Sequence, residues 1–307
     1  LHLHIRPLSW GDIEAIARLH RASEPVDHGG RIGEAVVLLH RWRRPGFSPE
    51  HCLVAEAGGA IVGYVYRSHL EGTDICQVDG VVHPAWRRRG IGRQLLERVA
   101  AEARLAGARV LDIRVREDEA AAVAFCQAMG FRAVRNWCRM WLEPVRVPPS
   151  ALPPGYTLRI FRPHHDEATY ASVVTRAFAE HWGVGQTTPE RVAAMVSEPG
   201  FEPADIVLAT CQTGVVGAAH VRFIEREVAG RRLAVGHIGS LGVLPDHRGH
   251  GLGRALLLAC LRRCRQRHVR AAELDVDEGN EPAIRLYRAC GFETLFRILW
   301  YRRELEE

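Results

Sequence analysis

Two stretches, RRRGIGRQLL at 87–96 and RGHGLGRALL at 248–257, each place an arginine ahead of two glycines in the pattern R-x-x-G-x-G. Each follows an apolar run ending in Val-x-Pro and precedes a long amphipathic run, so each sits where a strand gives way to a helix. Such a loop bares backbone N–H groups. Its glycines accept positive φ angles and let a ligand come close, and the helix N-terminus adds partial positive charge. The chemistry this suits is the binding of a pyrophosphate. Arg87 and Arg248 either touch the phosphates directly or brace the loop.

A dinucleotide-binding loop is the rival reading, with Asp112 and Glu273 standing twenty residues after Gly92 and Gly253 as ribose partners. It fails on spacing, because the phrase is not G-x-G-x-x-G. It fails on position too: the phrase follows the fourth strand of its segment, and both acids lie inside the next strand.

The two phrases are 161 residues apart, counted from Arg87 to Arg248, and the same offset relates Val82 to Val243, Pro84 to Pro245, Val115 to Val276 and Gly130-Phe131 to Gly291-Phe292. Tandem copies of one domain account for this. We expect an N-terminal domain at 1–143, a Pro-rich linker at 144–155 (PVRVPPSALPPG) and a C-terminal domain at 156–307.

The elements that must position the loops read as strand, helices, three strands, helix, strand, helix, strand in each half. In the second half, 156–162 is a strand candidate, and 169–182 and 189–198 are helical. DIVLAT, VVGAAHVRFIE and AVGHIGSLGVLP follow as strands, then GLGRALLLACLRRCRQ as a helix, AAELDV as a buried strand, EPAIRLYRACG as a helix and FETLFRILWYRR as a last strand. This is an α+β layout.

With these elements in place, both halves resemble the GCN5-related N-acetyltransferase (GNAT) family. The residues that carry the resemblance are V-x-P-x-x-R-x-x-G-x-G at Val82–Gly92 and Val243–Gly253, followed in the second half by N-x-x-A-x-x-x-Y-x-x-x-G-F from Asn280 to Phe292. The resemblance implies two tandem domains, each a mixed, mostly antiparallel sheet flanked by helices, with acetyl-CoA as donor. Pyrophosphate would rest on the amides of Gly249, His250, Gly251, Leu252, Gly253 and Arg254. The matching cradle in the first half is Arg88, Arg89, Gly90, Ile91, Gly92 and Arg93. Pantetheine would run beside the fourth strand, near Leu241 and Val243, with Val82 at the matching place in the first half. Asn280 would contact the cofactor, and the Leu241 N–H would polarise the acetyl carbonyl.

The resemblance further implies that Tyr287 protonates the departing CoA sulfur. At the same offset the first half has Glu119 for Asn280 and Cys126 for Tyr287, so we expect chemistry in the second half and a degenerate first half. For the general base, His237, Ser240 and a water relay all remain open; His237 titrates in a useful range. Glu180, His181 and Trp182, in FAEHWGVGQ, either recognise a polar, cationic or sugar-like amine, or else Trp182 caps a core while His181 sits in solvent.

Composition bounds the partners. A chain of 307 residues with 47% hydrophobic and 25% charged residues can bury two ordinary cores, and no apolar run approaches the roughly 18 residues of a membrane helix. The N-terminus lacks the features of a secretory signal, so the expected location is the cytoplasm. The net charge of +5 comes from arginine alone, dispersed on helix faces rather than gathered in a basic stripe, which argues against nucleic acid. Eight cysteines without a CxxC pair read as buried free thiols, and no histidine pattern suggests a metal. The expected activity is acetyl transfer to the primary amine of a small molecule by a monomer. The alternatives are a non-catalytic CoA sensor or scaffold and a protein N-acetyltransferase.

Overall fold

The computed structural model describes residues 3–27, 42, 47–149, 151–228 and 231–305. They divide into two compact units: Leu1–Asn136 with Ile298–Glu307, and Trp137–Arg297.

In the first unit, β1 (His4–Pro7), β2 (Cys52–Ala57), β3 (Ala60–His69), β4 (Ile75–Val82) and β5 (Val110–Arg116) form a sheet in that order. Its last partner is β12 (Glu293–Glu304), whose residues from Ile298 to Glu304 pair antiparallel with β5. Among the described residues of this unit only β4 and β5 pair in parallel. The helices are α1 (Ile13–Asp27), α2 (Ile91–Leu105) and α3 (Ala120–Ala128). A further helix expected between α1 and β2 would fall largely on residues outside those described.

The second unit repeats the plan. Its sheet runs β6 (Arg132–Leu142, through residues 137–142), β11 (Ala271–Asp277), β10 (Arg231–Val243), β9 (Gly214–Val228), β8 (Ile206–Cys211) and β7 (Thr157–Ile160). The helices are α4 (Glu167–Ala177), α5 (Pro189–Val196), α6 (Leu252–Gln266) and α7 (Glu281–Ala289). The α+β expectation therefore holds. In α6 the apolar residues Leu252, Leu256, Leu257, Cys260, Leu261 and Cys264 are buried, the stripe that the sequence periodicity predicts. Gly291 at φ 91° supplies the left-handed residue after α7.

The compact units are not the linear halves of the repeat. The end of β6, from the first repeat, completes the second unit's sheet, and the end of β12, from the second repeat, completes the first unit's. Packing accounts for this. Met140 and Leu142 of β6 are buried in the second core, and Tyr301 of β12 is buried in the first.

Arginines from these same strands neutralise the two acids raised by the dinucleotide reading. Arg302 holds the fully buried Asp112 carboxylate through two bonds of 2.8 Å. Arg139 reaches Glu273 at 2.9 Å, and Arg226 and His237 reach the same carboxylate at 2.8 and 2.9 Å. Both acids are structural.

Burial alone would push the Glu273 pKa up, but hydrogen bonds from His237 and Arg226 and the charge of Arg139 hold it far below the ordinary value of 4.5. A depressed carboxylate contributes stability above its unfolded pKa and loses it as pH falls towards its folded one. Thermal unfolding followed from pH 7 downward should therefore show a falling Tm that steepens below about pH 4.5, and Glu273→Gln should flatten that dependence.

All eight cysteines are free, and Cys211 alone is not buried. Among the described residues no group of three or more His, Cys, Asp or Glu side chains is placed to hold a metal ion. No helix among them is long and apolar enough to cross a membrane.

Candidate active site

In the second unit the parallel strands β10 and β11 pair only over Val235–His237 and Ala271–Glu273. Beyond this β10 stays with β9 as far as Val243, and β11 stays with β6 as far as Asp277. The facing edges separate into a wedge-shaped opening, where main-chain groups can pair with an extended ligand instead of a strand. In the first unit β4 and β5 separate in the same way after Val78 and Ile113.

The two openings differ first in the strand that borders them. On β10 the register jumps from Gly239, opposite His220, to Gly242, opposite Ala218. Ser240 and Leu241 thus share one opposing residue in a β-bulge, with Ser240 at φ 48°. The bulge removes the Leu241 N–H from the regular ladder. On β4 the pairing with β3 runs unbroken from Val82 to Cys76.

The glycine loop closes the end of the opening. A 3₁₀ turn at Pro245–His247 leads to Gly249 at φ 80° and Gly251 at φ 83°, and α6 starts with no side-chain cap. Its first N–H groups, from Leu252, Gly253 and Arg254, therefore remain as donors with no intrahelical acceptor. Arg248 turns back, donating through Nε to Val243 O (3.1 Å) and through Nη2 to Ala177 O (3.0 Å), and it braces the loop. Arg87 does likewise to Val82 O at 3.0 Å. In the first unit Arg88 takes a left-handed φ of 63° where the second unit has Gly249, and Gly90 has φ 79°. A β-carbon on Gly253 would come within 3.5 Å of Leu286 and 4.0 Å of Leu241, so the helix start, the bulge and α7 meet at this glycine.

On α7, Tyr287 is 7% exposed and its ring lies against Phe292. Burial pushes its hydroxyl up to about 12, so it remains protonated at neutral pH and can give a proton. Asn280 caps α7 through Oδ1 to the Ala283 N–H (3.2 Å), and its Nδ2 lies 3.3 Å from His181 Nε2. The first unit's Glu119 makes no such cap, and its Cys126 is 1% exposed, with its thiol pushed up to about 12 by burial.

The helix expected over 169–182 stops at Ala177, because Phe178 leaves it to pack on β10. A β-carbon on Gly242 would fall 2.7 Å from the Phe178 ring and 2.9 Å from Ala177. Gly242→Ala should therefore force α4 off the bulge, lowering stability by about 1–3 kcal/mol and weakening acetyl-CoA binding, read by calorimetry. His181 follows, half-buried against Phe178; burial and then the charge of Arg248 lower its pKa. Glu180 is exposed, 3.8 Å from Arg248, and Trp182 is half-buried.

Not every residue singled out in the sequence gathers here. His237 lies where β10 and β11 are still paired, its Nδ1 bonded to Glu273. Three residues on the site's margin carry no motif signal. Asp277 ends β11 and accepts from the Gly279 N–H at 2.8 Å, while Tyr170 and His220 bond each other beside the bulge at 2.8 Å. The alternation Glu273, Asp275, Asp277 in AAELDVD was the available clue to the first.

The sequence model described as "Acetyltransferase (GNAT) family" matches residues 175–292, and that of the "Acetyltransferase (GNAT) domain" matches residues 48–133. A mycothiol acetyltransferase of Thermobispora bispora is 34% identical over 295 residues, covering 95% of this chain and 96% of its own. This chain belongs to the GNAT family. A second mycothiol acetyltransferase, from Sanguibacter keddieii, is also 34% identical, over 93% and 91% of the two chains. The solved GCN5-related N-acetyltransferase of Sphaerobacter thermophilus superposes with a TM-score of 0.75 at 29% identity, over 99% of this chain and 96% of that one. The protein is an acetyl-CoA-dependent N-acetyltransferase of the tandem GNAT type. The second unit presents a wedge between β10 and β11, a bulge at Ser240 and Leu241, and a loop whose helix-start amides have no intrahelical acceptor.

Proposed function

We propose that the second unit transfers an acetyl group from acetyl-CoA to the primary amine of a small molecule, and that the first unit does no chemistry. The observation that carries this reading is the pairing of the bulge with a buried, protonated Tyr287 in the second unit, against an unbulged strand and a buried Cys126 in the first. The two repeats, 1–143 and 156–307 about the Pro-rich linker, then differ in role, the first retaining only the loop.

In this reading the amides from Gly249 to Arg254 hold the pyrophosphate. Asn280 and the main chain at Leu241 and Val243 hold the pantetheine end, and the Leu241 N–H faces the thioester oxygen as negative charge develops there. The amine must shed a proton to attack. His237, with Nδ1 fixed by Glu273, is the candidate to take that proton at Nε2, and because it lies where β10 and β11 are still paired it does so by a relay of water rather than by direct contact. Tyr287 gives its proton to the leaving sulfur. Glu180, His181 and Trp182 border the acceptor's approach, and their polar groups suit a cationic or polyhydroxylated amine.

The relatives' name makes a mycothiol-type precursor amine the first acceptor to try. Purified protein with acetyl-CoA and a panel of amines that includes it should release free CoA thiol. Tight acetyl-CoA binding without thiol release for any amine would support a sensor instead, and release only with peptides would support a protein acetyltransferase. We place the reaction in the cytoplasm, where acetyl-CoA is at hand and the free thiols stay reduced, and assign it to a monomer.

A further inference from the structure

We propose that Tyr170 and His220 are positioning residues for acetyl transfer: through Ser240 and Gly239 they hold the bulge that aims the Leu241 N–H. This rests on the second unit being the catalytic one.

A serine at φ 48° is in a conformation that L side chains resist, and such residues persist only where their surroundings hold them. Helix α4 supplies the hold at both ends of the bulge. On one side the buried Tyr170 hydroxyl lies 2.8 Å from His220 Nδ1 and faces the side of the bulge that carries Ser240. The His220 ring in turn lies across Gly239, so closely that a β-carbon there would be 2.6 Å from Nε2. On the other side Ala177 and Phe178 close on Gly242.

Neither member of the pair titrates near neutral pH. Burial, and then the charges of Arg222 and His237, push the His220 pKa down to about 3, and burial pushes Tyr170 up. A neutral histidine bonded to a neutral tyrosine moves no proton in the reaction, and what remains for the pair is geometry. The first unit has Gly80 where the second has Leu241, and its β4 keeps its register without a bulge.

The test is steady-state kinetics on Tyr170→Phe and Ser240→Ala, with Tyr287→Phe run alongside. Both bulge variants should lower kcat by about tenfold while leaving KM for acetyl-CoA within about twofold, the pattern of an interaction felt chiefly in the transition state. With ¹³C-labelled acetyl-CoA bound and no acceptor present, the carbonyl stretch should move back towards its value in solution in both. Adding Ser240→Gly to Tyr170→Phe should restore most of the turnover, because glycine takes the left-handed angle unaided.

Unchanged kcat and an unchanged carbonyl band in Ser240→Ala would overturn the proposal, even if Tyr170→Phe proved too unstable to purify. A Tyr170→Phe defect that glycine fails to relieve would overturn it as well. If Tyr287→Phe slows turnover and the bulge variants do not, this inference alone fails. If Tyr287→Phe is also silent, the assignment of chemistry to the second unit fails with it.

Discussion

Tyr287→Phe is expected to lower kcat by about a hundredfold or more, the usual contribution of a positioned general acid, with acetyl-CoA affinity within about twofold of the parent. The substitution removes one oxygen and leaves the ring in place against Phe292, so the packing around α7 is retained. Thiol release at saturating acetyl-CoA, with a separate binding titration, makes the measurement. The control is Cys126→Ala at the matching place in the first unit, where a buried thiol with a raised pKa is a poor proton donor and turnover should not change. A loss of turnover in Cys126→Ala alone would move the chemistry to the other unit.

Arg302→Ala should be the most damaging single change to stability, at about 3 kcal/mol or more, because it strands a carboxylate with no exposed surface. The Arg302 guanidinium makes both Asp112 bonds, at 2.8 Å each, from a strand at the far end of the sequence. Adding Asp112→Asn should return a good part of the loss, since a neutral amide is less costly to bury than an unpaired charge. Denaturant unfolding of the parent, both single variants and the pair forms a cycle, and strictly additive losses would dismiss the pair as a stabilising contact.

The sequence made the repeat, the α+β order of elements and the glycine loops legible, because each rests on local rules: hydrophobic period, helix stops, and the freedom of glycine after a strand. Asn280 and Tyr287 were legible as a spaced motif on one helix. The position of Arg248 was equally plain, but not its direction, since whether a guanidinium turns to a phosphate or to Val243 O and Ala177 O depends on loop geometry. His237 was legible as a candidate base, but not its bond to Glu273, because that contact needs a strand neighbour 36 residues away. Tyr170 and His220 were invisible for the same reason: a bulge is a relation between two strands, and HIGSLGV shows only that two glycines flank Ser240 and Leu241. The traded last strands could not be read either, because identical periodicity suits pairing in either sheet.

That trade sets a clock on biosynthesis. Until residues 298–304 leave the ribosome, the first unit's nascent sheet has its β5 edge unpaired and its Asp112 without Arg302. At about 5–20 residues per second the wait after Asn136 is about 10–30 s, long enough for an open edge to recruit a wrong partner. Slowing the synthesis of the second half should therefore lower the yield of folded protein, and added chaperone should restore it.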